Sequence, residues 1–182
     1  IIQGGSEVRR KWLDCVISQY DRSYLEKLID YNKALIQRNN LFKYFAENRV
    51  WDPSMIEPWD ARLAPNAIAI SEARKSFIKK FIPVFNEAYK ELSGGIESVS
   101  LEYNTKVEGD ESAFLELLIE ALEDDRRFRR STCGTHKDDL VFKIGDFPMK
   151  KFGSQGQQKT FLVALRLAQL SFLEEATGVK PI

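Results

Sequence analysis

The residues best suited to chemistry lie in GSQGQQKT, residues 153–160, which contains two glycines, one serine and three glutamines. Ser154 and Gln157 have the S-x-x-Q spacing of a capping box, in which each side chain accepts a hydrogen bond from a backbone N–H group at a helix start. The first turn of a helix also offers free N–H groups and a partial positive charge to an anion. The stretch is therefore open to three interpretations: a flexible linker, an ordinary capped helix, or an anion site.

A second candidate is THKDDL, residues 135–140, which contains the only histidine of the chain. His136, Asp138 and Asp139 are residue types found in metal and nuclease sites. Adjacent residues of a strand point to opposite faces, however, which argues against the two aspartates sharing one metal. The other interpretation from the residues is a structural turn, in which Asp138 or Asp139 pairs with a nearby arginine.

Two basic clusters are candidates for phosphate contact, one at Arg9, Arg10 and Lys11 and the other in DDRRFRR, residues 124–130. The alternative for each cluster is a solvated helix face with local ion pairs. A third polar feature, Arg38 with Asn39, interrupts an apolar seam. There it would fix the register of two paired helices, or bind a partner.

The composition is that of an ordinary globular protein, with 43% apolar residues and 30% charged residues among 182. The 27 basic and 27 acidic residues cancel, so a nucleic-acid site would have to be a local patch. Cys15 and Cys133 have no metal-ligand spacing and are expected to be free thiols. No apolar run approaches the roughly 20 residues that span a membrane, and no signal peptide is recognisable, so we expect a cytoplasmic protein.

The elements that would position these residues are helical in the first half of the chain. A helix is predicted over residues 7–20 with Ser6 as its cap, and another follows the S-x-x-E capping box at Ser23. Its apolar seam is heptad-like and contains Tyr24, Leu28, Tyr31, Leu35, Arg38 and Phe42. A long helix is predicted from Pro65 or Asn66 to the SGG stretch at residues 93–95, and the two long helices would form an antiparallel hairpin.

The second half mixes strands and helices. It predicts a strand at residues 98–103, a helix capped by Asp110, and a hairpin that turns at Gly145 and Asp146. A final helix would end at Gly178. The fold class predicted from this order is α+β and mostly helical. Residues 1–93 would form a coiled-coil-like helical arm and residues 94–182 a second domain.

Several motifs resemble those of the RecF family, a group of ABC-type ATPases related to SMC proteins. FGSQGQQKTFLVALRLAQ is similar to the family's version of the ABC signature motif, and CGTHKDDLVFKIGDFPMKKF is similar to the segment that precedes it. RRKWLD, YNKALIQRNNLFK and VWD resemble further family segments in the same order, so the likeness covers nearly the whole chain. It departs from the usual pattern at Thr135, where the family has proline, and at Lys137, where it has arginine.

The resemblance implies that residues 94–182 are a partial C-terminal lobe of an ABC-type ATPase head. It also implies an in-trans nucleotide site, in which the signature motif contacts the γ-phosphate of ATP bound to another subunit through Ser154, Gln155, Gly156 and Gln157. A contact to DNA or nucleotide is a further possibility for Arg9, Arg10, His136 and Lys137. Neither catalytic nor metal-binding residues are expected in this chain.

The resemblance further implies a function in DNA replication, recombinational repair and the SOS response. Family members use ATP-dependent homodimerisation to bind single/double-strand junctions at DNA gaps, and they assist RecA loading with RecO and RecR. The intact family is a weak ATPase. The Walker A loop would lie upstream and the Walker B strand would begin at Pro181 and Ile182. We therefore expect an internal fragment that is inactive alone and binds neither ATP nor Mg²⁺ without the rest of the protein.

Two alternatives remain at this point. The first is a fragment of another SMC-like ATPase, of the RecN-like or overcoming-lysogenisation type. The short arm argues against it, because those proteins carry much longer coiled coils or added nuclease domains. The second is a non-catalytic helical interaction module, in which SQGQ serves only as a helix cap.

Overall fold

Helices make up most of the protein in the computed structural model, which describes residues 1–179, and three strands form one sheet. This architecture confirms the predicted α+β, mostly helical class. Within residues 1–179 no helix combines the length and apolar character needed to cross a membrane. The predicted start of a Walker B strand at Pro181 and Ile182 lies outside the described residues. The elements are α1 (Ser6–Ser18), α2 (Arg22–Asn48), α3 (Glu57–Ser93), β1 (Val99–Asn104), α4 (Glu111–Glu120), α5 (Leu122–Phe128), β2 (Asp139–Ile144), β3 (Phe147–Pro148), α6 (Met149–Phe152) and α7 (Gln155–Thr177).

The chain divides into two compact units that interleave along the sequence. One, here the sheet unit, contains residues 1–22, 74–104 and 138–179. The other, here the arm unit, contains residues 23–73 and 105–137. The predicted boundary between residues 93 and 94 is therefore not a boundary between the two compact units. The division into a functional arm and a functional head lobe stays a prediction.

The sheet of the sheet unit is antiparallel, in the order β1-β2-β3. Val99 is paired with Ile144, and Leu101 with Phe142. The tight turn between β2 and β3 requires a left-handed conformation at Gly145, with φ of 52°. The predicted strand and the turn of the predicted hairpin are confirmed, but the second strand of the hairpin has only two residues, because Met149–Phe152 form the helix α6.

An aromatic core joins α3 to α7 in the sheet unit. Phe77 and Phe81 stack with ring centroids 5.0 Å apart. Phe172 of α7 meets Phe77 edge-on at 5.1 Å, and Phe161 of α7 packs at 4.8 Å from Phe85. Burial of each ring contributes about 1.5–3 kcal/mol, so this core fixes α7 firmly, including the helix start that carries the SQGQ stretch.

The arm unit pairs α2 with the first part of α3. The Arg38–Asp60 pair, at 2.5 Å, and the Arg62–Asp30 pair, at 3.4 Å, join the two helices in opposite chain directions. The predicted antiparallel arrangement is therefore correct. The heptad-like seam is largely confirmed as the buried face of α2, which consists of Tyr24, Tyr31, Ala34, Arg38, Phe42 and Phe45.

The start of α3 was predicted too late. The helix begins at Glu57 and runs through Pro65. Pro58 falls in the first turn, where a missing N–H group costs nothing. Leu63 and Ala67 are buried to 1% and 0% exposure, and packing of this face outweighs the hydrogen bond lost at Pro65.

Arg38 is the centre of a buried polar network in the arm unit. Its side chain is 0% exposed, pairs with Asp60 and Asp125, and donates to Ser131 Oγ at 2.8 Å. Burial opposes its charge, but the hydrogen bonds and charges of the two aspartates prevail and raise the pKa of Arg38. Asn39 Oδ1 also accepts from the backbone N–H of Ser131 at 2.7 Å. These contacts support the register role predicted for Arg38 and Asn39.

Of the caps predicted at Ser6, Ser23 and Asp110, only the one at Asp110 is confirmed. Asp110 caps α4 by accepting from the N–H of Ala113 at 3.0 Å, as expected. Ser6 is not a cap, because α1 begins at Ser6 itself with Gly5 in the cap position. Ser23 lies within the first turn of α2, which begins at Arg22. The single helix expected after Asp110 is broken at Ala121 into α4 and α5.

The two free cysteines differ sharply in accessibility, and this provides a test of the fold. Cys133 is 5% exposed, and burial, with the charge of Asp125 adding to it, raises the pKa of its thiol to about 11. Below that pH the thiol is protonated, so we expect alkylation on the order of a hundredfold slower than for an ordinary exposed thiol. Peptide mapping after iodoacetamide treatment at neutral pH should find Cys15 modified first. Equal labelling of both in the folded protein would contradict this structure.

Candidate functional site

The SQGQ stretch forms a complete capping box at the start of α7. Ser154 Oγ accepts from the N–H of Gln157 at 3.2 Å, and Gln157 Oε1 accepts from the N–H of Ser154 at 2.7 Å. The carbonyl of Ser154 then accepts the first intrahelical bond, from Gln158, at 2.9 Å. The linker interpretation is wrong, because these bonds fix the backbone of the stretch.

The side chain of Gln157 is held from its other end by the sheet unit. Its Nε2 donates to Glu97 Oε1 at 2.5 Å, and Tyr89 donates its hydroxyl to Glu97 Oε2 at 3.1 Å. Tyr89 is 1% exposed, and burial together with Glu97 raises the pKa of Tyr89 to about 12. Both ends of the Gln157 amide are thus engaged within the chain. This favours a positioning role for its side chain over direct ligand contact.

The two glycines of the stretch are present for different reasons. A Cβ at Gly153 would collide with the side chain of Met149 and lie 2.8 Å from its carbonyl oxygen, so packing requires glycine there. A Cβ at Gly156 would meet only Ser154 Oγ, at 3.9 Å. Glycine costs up to about 1 kcal/mol in a helix, and nothing inside the described chain requires it at 156. The absence of a side chain leaves the exposed surface of this first turn open.

The exposed start of α7 can donate hydrogen bonds to an anion. Ser154, Gln155 and Gly156 are all exposed. Ser154 accepts through its oxygen in the cap, so its hydroxyl hydrogen can still be donated. The N–H groups of Gln155 and Gly156 precede the first intrahelical bond and have no partner among residues 1–179. These neutral donors, with the helix dipole, fit phosphate oxygens.

His136 has a structural position in the arm unit. Its Nδ1 lies 2.8 Å from the hydroxyl of Tyr31, and its Nε2 lies 3.2 Å from the carbonyl oxygen of Ser131. A carbonyl can only accept, so Nε2 carries a hydrogen, and in the neutral imidazole Nδ1 then accepts from Tyr31. Both ring nitrogens are therefore used within the arm unit. Lys137 follows on the surface.

Asp138 is a buried partner of an arginine in the sheet unit. It is 3% exposed and accepts from Arg74 Nη1 at 3.0 Å and from the hydroxyl of Tyr103. Arg74 also donates to Asp14 at 2.8 Å. Burial raises the pKa of Tyr103 and Asp138 adds to the rise, so this hydroxyl stays protonated as a donor. The structural interpretation of this turn is confirmed.

Asp139 explains one of the two basic clusters. It accepts from Arg9 Nε and Nη2, both at 2.8 Å, in a bidentate pair. Arg10 Nη1 donates to the carbonyl oxygen of Asp138 at 2.5 Å. The structure thus brings Arg9 and Arg10 to the DD pair, where Arg9 is neutralised. Their contact to DNA or nucleotide stays a prediction.

The sequence reasoning missed the partners of these groups. Glu97, Arg74 and Tyr103 carry no local signal, because each meets its partner only through the fold. Asp60 and Asp125 were not predicted either; the signal that could have found them is an arginine on an apolar seam, which requires acidic partners once it is buried. In the described part of the chain, no three His, Cys, Asp or Glu side chains cluster closely enough to hold a metal ion.

The chain is similar in sequence to curated proteins that share one name. No family model matches the chain. The DNA replication and repair protein RecF of Flavobacterium johnsoniae is 47% identical over 182 residues, which is 100% of this chain and 50% of that protein. The protein of the same name from Phocaeicola vulgatus is 43% identical over 178 residues, 98% of this chain and 47% of that protein. The chain thus spans about half the length of these curated relatives.

Solved structures show the same similarity. A structure of the recombination mediator protein RecF in the RecFOR pathway, solved as RecF-ATPrS, has a TM-score of 0.91 and 31% sequence identity. A second, solved as RecF-ATP, has a TM-score of 0.91 and 29% identity. Both matches cover 100% of this chain and 50% of the solved chain.

Proposed function

Because this chain belongs to the RecF family of DNA replication and repair proteins, we propose that it acts within an intact protein that dimerises in response to ATP. The dimer would bind single/double-strand junctions at DNA gaps in the cytoplasm. With RecO and RecR it would assist the loading of RecA, which is the step that connects this family to recombinational repair. Identity to RecF proteins along the whole chain favours this proposal over another SMC-like ATPase or a helical interaction module.

The observation that carries the proposal is the exposed, glycine-containing start of α7. Ser154 and the N–H groups of Gln155 and Gly156 would meet the γ-phosphate of ATP held by a second copy. Hydrogen bonds to a charged group are worth about 1.5–3 kcal/mol each, enough to favour a dimer with ATP over one with ADP. Gln157 would hold Ser154 in place through the capping box and Glu97. The solved relative named RecF-ATP supports nucleotide binding by the intact protein.

This chain would contact the γ-phosphate of ATP, while another part of the intact protein would bind the nucleotide. The sequence contains no G-x-x-x-x-G-K-[ST] loop, so this segment by itself supplies no Walker A site. Among the described residues, no three His, Cys, Asp or Glu side chains form a group that could hold Mg²⁺. In the intact protein, ATP with Mg²⁺ would bind elsewhere and present its γ-phosphate to this helix start. Hydrolysis by this chain alone is not expected.

The test is Gly156→Ala in the intact protein, compared with Gly153→Ala. Alanine at 156 meets no steric obstacle within the chain and raises helix propensity, so we expect thermal stability to be unchanged or higher by up to about 1 kcal/mol. The added methyl would obstruct the approach of a phosphate. We therefore expect ATP-dependent dimerisation, measured by light scattering, to weaken about tenfold or more.

The companion variant should show the opposite pattern. Gly153→Ala forces a methyl against Met149 and its carbonyl, so it should lower stability by about 1–3 kcal/mol. Unaltered dimerisation of a well-folded Gly156→Ala protein would refute a close approach of nucleotide at this turn.

A further inference from the structure

The arm unit contains a cavity of about 630 Å³ that the proposed nucleotide contact does not use. The rings of Phe42 and Phe45, buried to 1% and 3% exposure, form its base, and the partly buried Trp51 and the exposed Val50 supply its accessible apolar surface. Trp51 lies 5.4 Å edge-on from Phe45 and stacks 6.4 Å from Phe42. This volume accommodates a large apolar side chain.

The rim of the cavity is strongly basic. It carries Arg49, Arg126, Arg127 and Arg129, with Glu123 as the one acidic lining residue. Four arginines and one glutamate give the lining a formal charge of +3. All four arginines are exposed, and none of their guanidinium groups has an ion pair or hydrogen bond within residues 1–179. The charge is therefore available to a partner.

Arg126 is positioned at the cavity by an aromatic ring. Its guanidinium carbon lies 4.5 Å from the ring centroid of Trp51, in a cation–π contact. A guanidinium that stacks on a ring keeps its in-plane N–H groups free for a bidentate bond to a carboxylate. Among the described residues, only two besides glycine have positive φ, Arg49 and Arg129, both at 55°. Both line this cavity, so two residues of its rim have the left-handed backbone conformation that residues other than glycine rarely adopt.

We propose that this arginine-rimmed cavity binds an acidic peptide segment of a partner protein. One apolar side chain of the segment would enter the cavity, and flanking carboxylates would pair with the arginines. Single-stranded DNA fits less well. Arg126 and Phe42 already cover the ring of Trp51, which removes the face on which a base would stack. Phosphate groups would pair with the arginines but would leave the apolar surface of the cavity without a partner. This partner site goes beyond ATP-dependent dimerisation and does not depend on nucleotide.

The test measures binding of a fluorescent hexapeptide, DELDED, to the intact protein by anisotropy. The matched probes are NQLNQN, which lacks the carboxylates, and DEGDED, which lacks the apolar anchor. We expect DELDED to bind at least about tenfold more tightly than either, because both the charges and the anchor contribute. The double variant Arg126→Gln/Arg127→Gln should weaken DELDED binding by about tenfold or more.

The control variant is Lys33→Gln/Lys43→Gln, which removes the same charge from exposed positions of α2 outside the cavity lining. It should bind DELDED as the parent does, and circular dichroism should show both double variants folded. Failure of the parent to bind DELDED overturns the proposal, as does equal binding of DELDED and NQLNQN. Binding of a dT oligomer that is lost in the arginine variant, without peptide binding, also overturns it in favour of a nucleic-acid site.

Discussion

ATP-dependent dimerisation of the intact protein is expected to weaken about a hundredfold or more when Ser154 is replaced by aspartate. Aspartate is as good a helix N-cap as serine, so α7 should still begin at the same residue. The new carboxylate, however, would stand where the γ-phosphate arrives and would repel it. The side chain of Ser154 is exposed and, among residues 1–179, is hydrogen-bonded only in its capping box, which limits the structural cost of the change.

The matched control is Ser154→Thr, which keeps both a hydroxyl donor and a capping oxygen. It should retain dimerisation to within a few-fold, while both variants should bind fluorescent ATP like the parent, because the proposed nucleotide pocket lies elsewhere in the intact protein. Light scattering with ATP and with ADP separates the dimer from the monomer. If the aspartate variant dimerised normally with ATP, the in-trans role of Ser154 would have to be abandoned.

The largest stability effect is expected from Arg38→Met. Arg38 and Asp125 are both 0% exposed, and Asp60 shares the same guanidinium. Methionine matches the volume but leaves buried carboxylates without their counterion. Loss of one partner from such a group costs about 3–5 kcal/mol. Urea unfolding of the chain, followed by far-UV circular dichroism, measures this cost directly.

A matched comparison is Arg62→Met in the same pair of helices. The Arg62–Asp30 pair spans 3.4 Å, with side chains 51% and 47% exposed. Exposed pairs contribute about 0–1 kcal/mol, so this variant should unfold almost as the parent does. Similar losses of stability in the two variants would contradict the claim that the buried ion pairs of Arg38 matter far more for stability than the exposed pair of Arg62.

Local features of the fold were predictable because their causes lie within a few residues. Asp110 caps α4 through the N–H of Ala113, and the Ser154–Gln157 box starts α7. The turn at Gly145 needs only its positive φ. The antiparallel pairing of α2 with α3 followed from the short connection between two long helices. The start of α3 was missed, since proline in a helix is tolerated where packing compensates for it.

The candidate site was predictable in part. The resemblance singled out Ser154–Gln157, and the structure adds why the stretch is rigid and why Gly156 has an open surface. Glu97 and Tyr89, which hold Gln157, could not be found from spacing, because Gln157 and Glu97 are separated by 60 positions. The sequence predicted a phosphate contact for Arg9 and Arg10 and treated Asp138 and Asp139 as a separate motif. In the structure, Arg9 pairs with the side chain of Asp139 and Arg10 donates to the carbonyl oxygen of Asp138.

The sequence by itself determined the class of the fold, the caps of α4 and α7, the family likeness and the stretch that could hold a phosphate. These depend on side-chain type and on spacing within one or two turns. Only the tertiary structure decided which distant charges meet: Arg38 with Asp60 and Asp125, or Arg74 with Asp138. It also placed the arginines of α5 around the aromatic end of α2. Two charges interact more strongly when they are buried. Burial is a property of the packed chain, so it cannot be read from residue type or spacing alone.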